Sequence, residues 1–205
     1  PSSNVSLQMI MDAHRDHYEN TPYDLTKGLA SGPFGTPNRY SPGAGEQEVQ
    51  GNWERGISIP RTSDSFVVQL RQGEGAGAGD SVLWWGVHVP HATTYAPFFA
   101  SQAVVPDSCR GLQGVFDPST LLWRVRFVHN LMDLKYSYMA PDVRAAQHAL
   151  EGKGRKVADA RYGTLGDAQK AALDHLDDVI DAYRNLFDKL MFKFADGWVN
   201  VPTLG

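Results

Sequence analysis

Two apolar runs in the middle of the chain dominate its pattern of hydrophobic and polar positions. Residues 65–70 (SFVVQL) and residues 81–87 (SVLWWGV) are separated by a connector that is rich in glycine and alanine. β-Branched and aromatic residues on either side of such a connector predict an antiparallel strand pair. Both parities within each run are apolar, whereas a strand with one solvated face alternates apolar and polar residues. The pattern therefore predicts a sheet that is covered on both faces.

A third apolar run precedes this pair and predicts a short edge strand. Residues 56–59 (GISI) end at Pro60, which has no backbone N–H to donate to a ladder and therefore fits an edge or a strand end. About three strands are thus expected, and one block of helices covers only one face of a sheet. Either the layer that faces the second surface is missing from this chain, or two copies pair through that surface, because exposed apolar area of this size marks an interface.

Helical periodicity predicts helices near both ends of the chain. Ser6 can cap a short amphipathic helix over residues 6–18, and apolar residues at helical spacing predict a long helix over residues 166–195. Residues 19–53 are rich in glycine, proline, asparagine and threonine and show little periodicity. A long irregular loop in a compact domain is commonly functional or mobile.

The segment after the strands predicts two further helices. Asp117, followed by a proline, is an acidic N-cap before a residue that favours the first helical position, so a helix is expected from there to Pro141. A second helix is expected over residues 142–150, and it should end at two glycines, Gly152 and Gly154.

Together these elements predict an α+β fold in a single domain over residues 1–205. A helix and an irregular loop occupy residues 1–53, the antiparallel strands occupy residues 54–103, and helices occupy residues 104–205. Because helices cover a sheet whose other face is also apolar, at least three layers are expected.

Composition and charge argue against several functions. The net charge of −4 and the pI near 6.0 provide no basic surface for nucleic acid. No apolar run approaches the roughly 18–20 residues that span a bilayer, so no membrane partner is expected. Cys109 is the only cysteine, which excludes an intrachain disulfide and leaves the compartment open.

The residues that could carry chemistry have simpler structural interpretations. His14 and His17 share a helix face, but they lack well-spaced carboxylates, which favours solvated histidines over a metal site. His88 and His91 follow a strand, and burial with a hydrogen bond is expected for His88. Cys109 lies in an irregular segment without a nearby base, which favours a core residue over a nucleophile.

Two stretches stand out as candidate pocket walls. Residues 21–40 (TPYDLTKGLASGPFGTPNRY) combine prolines, which stiffen a loop, with glycines, which allow close approach to the backbone. Arg55 and Arg61 flank the predicted edge strand, and an arginine at a strand end can bind a substrate carboxylate through two nitrogens. An ordered loop and a structural ion pair are the alternatives.

Four segments, taken in order, resemble a known family. They are YENTPYDLTKGLASGPFGTPNRY, ERGISIPRTSDSFVVQ, VLWWGVHVPHATTYAPFFA and FVHNLMDLKYSYMAPDVR. Over nearly the whole chain they resemble the C-terminal half of the cysteine-type dipeptidases, which include bacterial dipeptidase A and the secernins. The resemblance implies an N-terminal nucleophile hydrolase with a four-layer αββα sandwich. It also implies a processed N-terminal cysteine that uses its own amino group as base, hydrolysis of dipeptides with broad specificity, and no metal or other cofactor.

The chain departs from that family pattern at the catalytic position. The nucleophile belongs at the start of the mature enzyme, Pro1 is not a cysteine, and Cys109 does not match the nucleophile position. The resemblance therefore implies the C-terminal segment of a larger hydrolase domain, with no catalytic residue of its own and no activity alone. Its expected partners are the missing N-terminal segment and a small peptide substrate.

The family's central blocks suggest where the substrate pocket lies. The expected pocket residues are Phe34, Arg39, Arg61, Thr62 and Ser63, and no metal ligands are expected. Two other functions stay open: a non-catalytic, secernin-like binding or regulatory module, and a stand-alone hydrolase that uses Cys109 with His88 or His91. A homo-oligomer is also possible.

Overall fold

The computed structural model describes residues 5–39, 54–71 and 80–194. They form helix α1 (Leu7–His14), strands β1 (Asp64–Gln69), β2 (Val82–Val87) and β3 (Ala96–Phe99), and helices α2 (Leu121–Met132), α3 (Tyr136–Asp159) and α4 (Leu165–Phe194). The fold is α+β, with a small antiparallel sheet followed by a helical C-terminal part, as the sequence predicts. The αββα sandwich stays a prediction. The connector between β1 and β2 and the loop end at Tyr40 lie outside the described residues.

The three strands form one antiparallel sheet in the order β1-β2-β3. Val67 lies opposite Trp84 and Val82 lies opposite Phe99, so these four side chains share one face. They pack with Met11 of α1 and with alanines of α3 and α4. None of the four is more than 9% exposed, so this face of the sheet is covered by the helices.

The opposite face of the sheet is apolar and open. Phe66 is 56% exposed, Val68 is 53% exposed and Leu83 is 36% exposed. Trp85 and Phe98 lie beside them, with ring centroids 6.1 Å apart. The sequence pattern correctly predicts apolar residues on both faces, but the residues that the structure describes cover only one. These five residues are called the open sheet face below.

The predicted edge strand at residues 56–59 is wrong. The backbone N–H groups of Ile57 and Ser58 both donate to the carbonyl of Asp16, at 3.1 and 3.2 Å. This short run therefore pairs with the segment after α1 and not with another strand. The third strand is β3, which hydrogen-bonds to the free edge of β2.

Helix α2 begins later and ends earlier than predicted. Asp117 accepts hydrogen bonds from the backbone N–H and the hydroxyl of Ser119, at 2.9 and 2.6 Å, and so forms a turn ahead of the helix. Thr120 occupies the N-cap position and the helix starts at Leu121. The chain leaves the helix after Met132, nine residues before Pro141.

Neither Pro141 nor the two glycines end a helix. Helix α3 contains Pro141 in its second turn and continues through Gly152 and Gly154 to Asp159. Met139 and Val143, on either side of the proline, are fully buried, and this tertiary packing outweighs one lost backbone hydrogen bond. Gly154 is required by close packing against His175, Pro97 and Trp84 and not by helix termination.

A buried polar network fixes the loop between β2 and β3, residues 88–95. Arg15, at the end of α1, forms a fully buried ion pair with Glu151 of α3 and donates to the carbonyl of Thr93 at 3.0 Å. Gln147 donates to the carbonyls of His91 and Thr93, at 3.0 and 2.9 Å. The polarity of this loop therefore serves an internal network.

In the described ranges, no helix combines the length and the apolar character that crossing a membrane requires.

Candidate functional site

The loop predicted to line a pocket lines two neighbouring cavities. One, of about 330 Å³, lies between the loop and the start of α3 and is bordered by Glu19, Tyr136 and Arg144. The other, of about 560 Å³, is bordered by residues 22–25, 28–30, 39 and 54–55. Lys27 borders both cavities. Both volumes fall in the range of about 300–1,000 Å³ that is typical of small-molecule sites.

Local hydrogen bonds hold this loop in place. The carboxylate of Asp24 accepts from the backbone N–H and the hydroxyl of Thr26, at 2.9 and 2.6 Å. Gly35 has a φ of +63°, and a Cβ there would lie 3.0 Å from the carbonyl oxygen of Thr26. Only glycine accommodates both the backbone angle and the close approach. The YDLTKG and GPFG segments are therefore stiff walls.

The smaller cavity carries both signs of charge. The pKa of Glu19 is lowered to about 2. Burial alone would raise this pKa, but hydrogen bonds from the side chain and the backbone of His17 together have the larger, opposite effect. Glu19 is therefore a carboxylate at neutral pH. It borders the cavity together with the cationic residues Lys27 and Arg144. A zwitterionic ligand with separated amine and carboxylate groups would find a counter-charge for each end.

Two of the predicted pocket residues meet at a third, smaller cavity. Arg39 and Arg61 both border it, beside Ser58. The guanidinium of Arg39 already donates to the carbonyls of Thr36 and Leu25, at 3.1 and 3.0 Å, so it holds the loop together. Arg61 is exposed at the rim.

The other three predicted pocket residues have identifiable structural contacts. The hydroxyl of Thr62 donates to the carbonyl of Ile59 at 2.9 Å, and the carbonyl of Ser63 accepts from the backbone N–H of His88 at 2.8 Å. The ring of Phe34 packs against Tyr138, with centroids 6.1 Å apart. A substrate role for these residues stays a prediction.

Cys109 has the surroundings of a packing residue. It lies in a short 3₁₀ helix, half-buried in an apolar hollow with Leu83, Trp85, Phe98 and Val105. Burial, with a smaller contribution from the charge of Asp177, raises its pKa to about 11. A catalytic thiol needs the opposite shift, because the thiolate is the nucleophile. These surroundings disfavour the stand-alone hydrolase that would use Cys109.

Four buried histidines form a cluster between the 88–95 loop, α2 and the segment after α1. His88 Nε2 lies 2.9 Å from His129 Nδ1, and the rings of His91 and His129 have centroids 5.2 Å apart. The ring of His17 lies 4.8 Å from that of His91. Asp133, one turn after His129, places a carboxylate oxygen 3.3 Å from His129 Nε2. We call these five residues the histidine cluster.

Burial sets the protonation of the histidine cluster. It lowers the pKa of His129 to about 3 and that of His88 to about 4, and it also lowers the pKa of His91. It raises the pKa of Asp133 to about 6, against two hydrogen bonds of 2.8 Å from the amide of Asn38. At neutral pH these three imidazoles are neutral and Asp133 is mainly a carboxylate.

Comparison with known proteins identifies the family. The family model described as Peptidase family C69 matches residues 1–149, which include the loop, the sheet, α2 and the first half of α3. The chain belongs to peptidase family C69. A search of curated proteins finds no match to the chain. The match agrees with the resemblance to cysteine-type dipeptidases and assigns a peptidase role.

The C69 match covers every predicted pocket residue and all five residues of the histidine cluster. The sequence analysis did not predict this cluster. The expectation of a solvated His17 is wrong, because this side chain is fully buried. The expectation of a buried, hydrogen-bonded His88 is confirmed. His129 and Asp133 carried a usable signal: an i,i+4 histidine–aspartate pair on a helix whose neighbours are apolar.

Proposed function

We propose that this C69 chain is the C-terminal portion of a cysteine-type dipeptidase whose nucleophilic cysteine lies in a preceding segment. The observation that carries the proposal is the C69 match over residues 1–149, in a chain whose one cysteine is poorly suited to nucleophilic attack. The four motif segments support dipeptides as the substrate class. The non-catalytic, secernin-like module is the competing proposal.

The open sheet face supports a companion layer. Phe66, Val68 and Leu83 expose large apolar side chains on one continuous surface of a three-stranded sheet. In an αββα sandwich, such a surface would pack against the second sheet, and burying it would contribute roughly 25 cal/mol for each Å² removed from water. The preceding segment would supply that layer.

The proposed reaction is acyl transfer. The cysteine thiolate attacks the scissile carbonyl carbon, and polar donors stabilise the tetrahedral oxyanion. The C–N bond then breaks, the leaving amine takes a proton, and a thioester remains. Water attacks the thioester, releases the carboxylic acid and regenerates the thiol.

Lys27 is the proposed contact for the substrate's terminal carboxylate. It borders both larger cavities, within the stiff YDLTKG segment, and Glu19 offers a counter-charge for the terminal amine. Arg39, Arg61, Phe34, Thr62 and Ser63 stay proposed as surrounding walls, with Arg39 holding the loop in shape. Lys27→Met should raise KM for a dipeptide and leave KM for the same dipeptide amide nearly unchanged.

A parallel activity assay of the chain and the complete protein tests the proposed function. The 205-residue chain and the product of the complete gene are assayed in parallel for release of amino acids from a panel of dipeptides. We expect turnover by the complete product and none by the chain alone. Hydrolysis by the chain alone would contradict the proposal, and an inactive complete product with no cysteine upstream would favour the non-catalytic module.

A further inference from the structure

We propose that His91, His129 and Asp133 form a buried binding site for a divalent transition-metal cation, with Zn²⁺ as the best-matched ion. One potential ligand atom from each of the three residues lies within 4.8 Å of the other two. They come from two separate parts of the fold, the 88–95 loop and the end of α2. This inference is independent of the proposed dipeptidase function.

The donor spacing is close to that of a four-coordinate ion. Zinc binds imidazole nitrogen and carboxylate oxygen at about 2.0–2.2 Å, which places two tetrahedral ligands about 3.4 Å apart. His129 Nε2 and Asp133 Oδ2 are 3.3 Å apart, so this pair is already at the required separation. His91 must approach by about 1.4 Å at most from the observed limit of 4.8 Å.

The Nδ1 atoms of His91 and His129 already have hydrogen-bond partners. His129 Nδ1 lies 2.9 Å from His88 Nε2, and His91 Nδ1 lies 2.8 Å from the hydroxyl of Ser58. Metal-bound histidines characteristically make such a hydrogen bond through the nitrogen that does not bind the metal. The geometry leaves Nε2 of His91 unpartnered, and Nε2 of His129 has a long contact of 3.4 Å with the amide nitrogen of Asn38, which a cation would replace.

Buried polar atoms without partners point to a ligand. Among the described residues, His91 Nε2, His17 Nε2 and Asn38 Oδ1 are fully inaccessible and have no hydrogen-bond partner. His91 is only 3% exposed, so its orphaned nitrogen costs free energy that solvent does not recover. A cation beside His91 and Asp133 would satisfy the nitrogen and neutralise the buried carboxylate.

The chemistry of the donors selects the class of ion. Two imidazole nitrogens and one carboxylate suit Zn²⁺ and other first-row transition metals, whereas Mg²⁺ and Ca²⁺ prefer oxygen ligands. Asp133, at 13% side-chain exposure, is the most accessible of the three ligands.

A cation here would act as a structural clip. It would join the 88–95 loop to the C-terminal end of α2, and Asn38 would link the pocket loop to the same point through its hydrogen bonds to Asp133. The site is nearly closed to solvent, and its three protein ligands leave the fourth tetrahedral position for a water molecule. A cation that only stabilises the fold is compatible with the metal-free catalysis that the family resemblance implies.

Zinc titration of the 205-residue chain tests the proposal directly. Chelator-treated protein is titrated with ZnCl₂ by calorimetry at pH 7, and its Tm is measured with and without the ion. We expect one equivalent bound and a Tm increase of several degrees. His91→Gln and Asp133→Asn should each weaken binding at least tenfold.

His175→Gln is the matched control. His175 is also buried, at 4% exposure, and its Nε2 is also unpartnered, but it packs against Gly154 away from the cluster. This variant should bind zinc like the unaltered chain. If His91→Gln fails to fold, the visible spectrum of Co²⁺ bound to the unaltered chain provides a second readout, with tetrahedral bands and no thiolate charge-transfer band expected.

Three results would overturn the site. One is the absence of stoichiometric zinc binding, which would leave the cluster as a hydrogen-bonded network. Another is binding that survives both His91→Gln and Asp133→Asn unchanged. A third is a Co²⁺ spectrum with thiolate bands, which would assign the ion to Cys109.

Discussion

The guanidinium of Arg15, at the end of α1, pairs with the carboxylate of Glu151, in the middle of α3, and neither side chain is exposed to solvent. The pair joins segments 136 residues apart in sequence. Arg15 also donates to two carbonyls of the 88–95 loop, and Glu151 accepts from the backbone N–H of Tyr95 at 3.1 Å. The loop that carries His88 and His91 is therefore held by an ion pair from two helices.

Glu151→Gln should destabilise the fold strongly. The substitution keeps the volume but leaves the buried Arg15 guanidinium with only the partly exposed carboxylate of Asp12, 3.1 Å away, as a counter-charge, a loss of up to about 3–5 kcal/mol in the free energy of unfolding. Urea denaturation measures it. The control is Asp174→Asn, which breaks the exposed pair with Lys170 and should cost less than about 1 kcal/mol. Equal effects of the two substitutions would contradict the importance of the buried pair.

Gly154→Ala and Gly152→Ala should have opposite effects on stability. A Cβ at Gly154 would lie 3.0 Å from His175 Nε2, 3.2 Å from Pro97 and 3.3 Å from Trp84, so overpacking should cost about 1–3 kcal/mol. At Gly152 the nearest atom is 3.8 Å away, at the tip of Arg155, and alanine should stabilise the helix by about 0.5–1 kcal/mol. Thermal unfolding of both variants checks the sign, and a stable Gly154→Ala protein would contradict the close contact.

Cys109 should react slowly with iodoacetamide at neutral pH. Burial raises its thiol pKa to about 11, so the reactive thiolate is about one part in 10⁴ at pH 7, against a few per cent for a free thiol of pKa about 8.5. The alkylation rate should therefore rise about tenfold per pH unit between pH 7 and 9.5 with no plateau. The same chain in urea is the control and should begin to level off near pH 8.5. A plateau below pH 8 in the folded protein would show an activated thiol.

Charge on the open sheet face should reduce its association without unfolding the chain. Phe66→Lys combined with Val68→Lys places two cations where 56% and 53% of the side chains are already exposed. We expect weaker binding of a hydrophobic dye and less self-association in sedimentation measurements. Leu134→Lys, at a 66% exposed leucine after α2, is the control and should change neither. An unchanged dye signal in the double variant would mean that this face is not an accessible apolar surface.

Much of the architecture was predictable because local patterns and tertiary packing agree. The β1–β2 pair, α1 and α4 all follow from apolar spacing with suitable flanking residues. The errors arise where packing overrides local preference. Pro141 lies within α3 because both of its neighbouring turns are buried, and residues 56–59 pair with Asp16 because the chain after α1 offers an acceptor there.

The candidate site was predictable only in part. Proline and glycine spacing indicated that the loop from residue 21 lines a pocket; two cavities do border this loop, and their role in binding substrate stays a prediction. The histidine cluster was not predictable from spacing, because His17, His91 and His129 come from three distant segments. The fold buries all three side chains and places the ring of His91 beside the rings of both His17 and His129.

The identity of the nucleophile decides whether this chain is the C-terminal portion of a dipeptidase or a hydrolase that uses Cys109. The product of the complete gene is prepared with and without Cys109→Ala, and kcat/KM for a dipeptide is measured for both, with mass spectrometry to locate the cysteine that an inactivating alkylating agent modifies. We expect unchanged kcat/KM in Cys109→Ala and modification of a cysteine upstream of this chain. Loss of activity in Cys109→Ala, with the label on Cys109, would contradict this expectation.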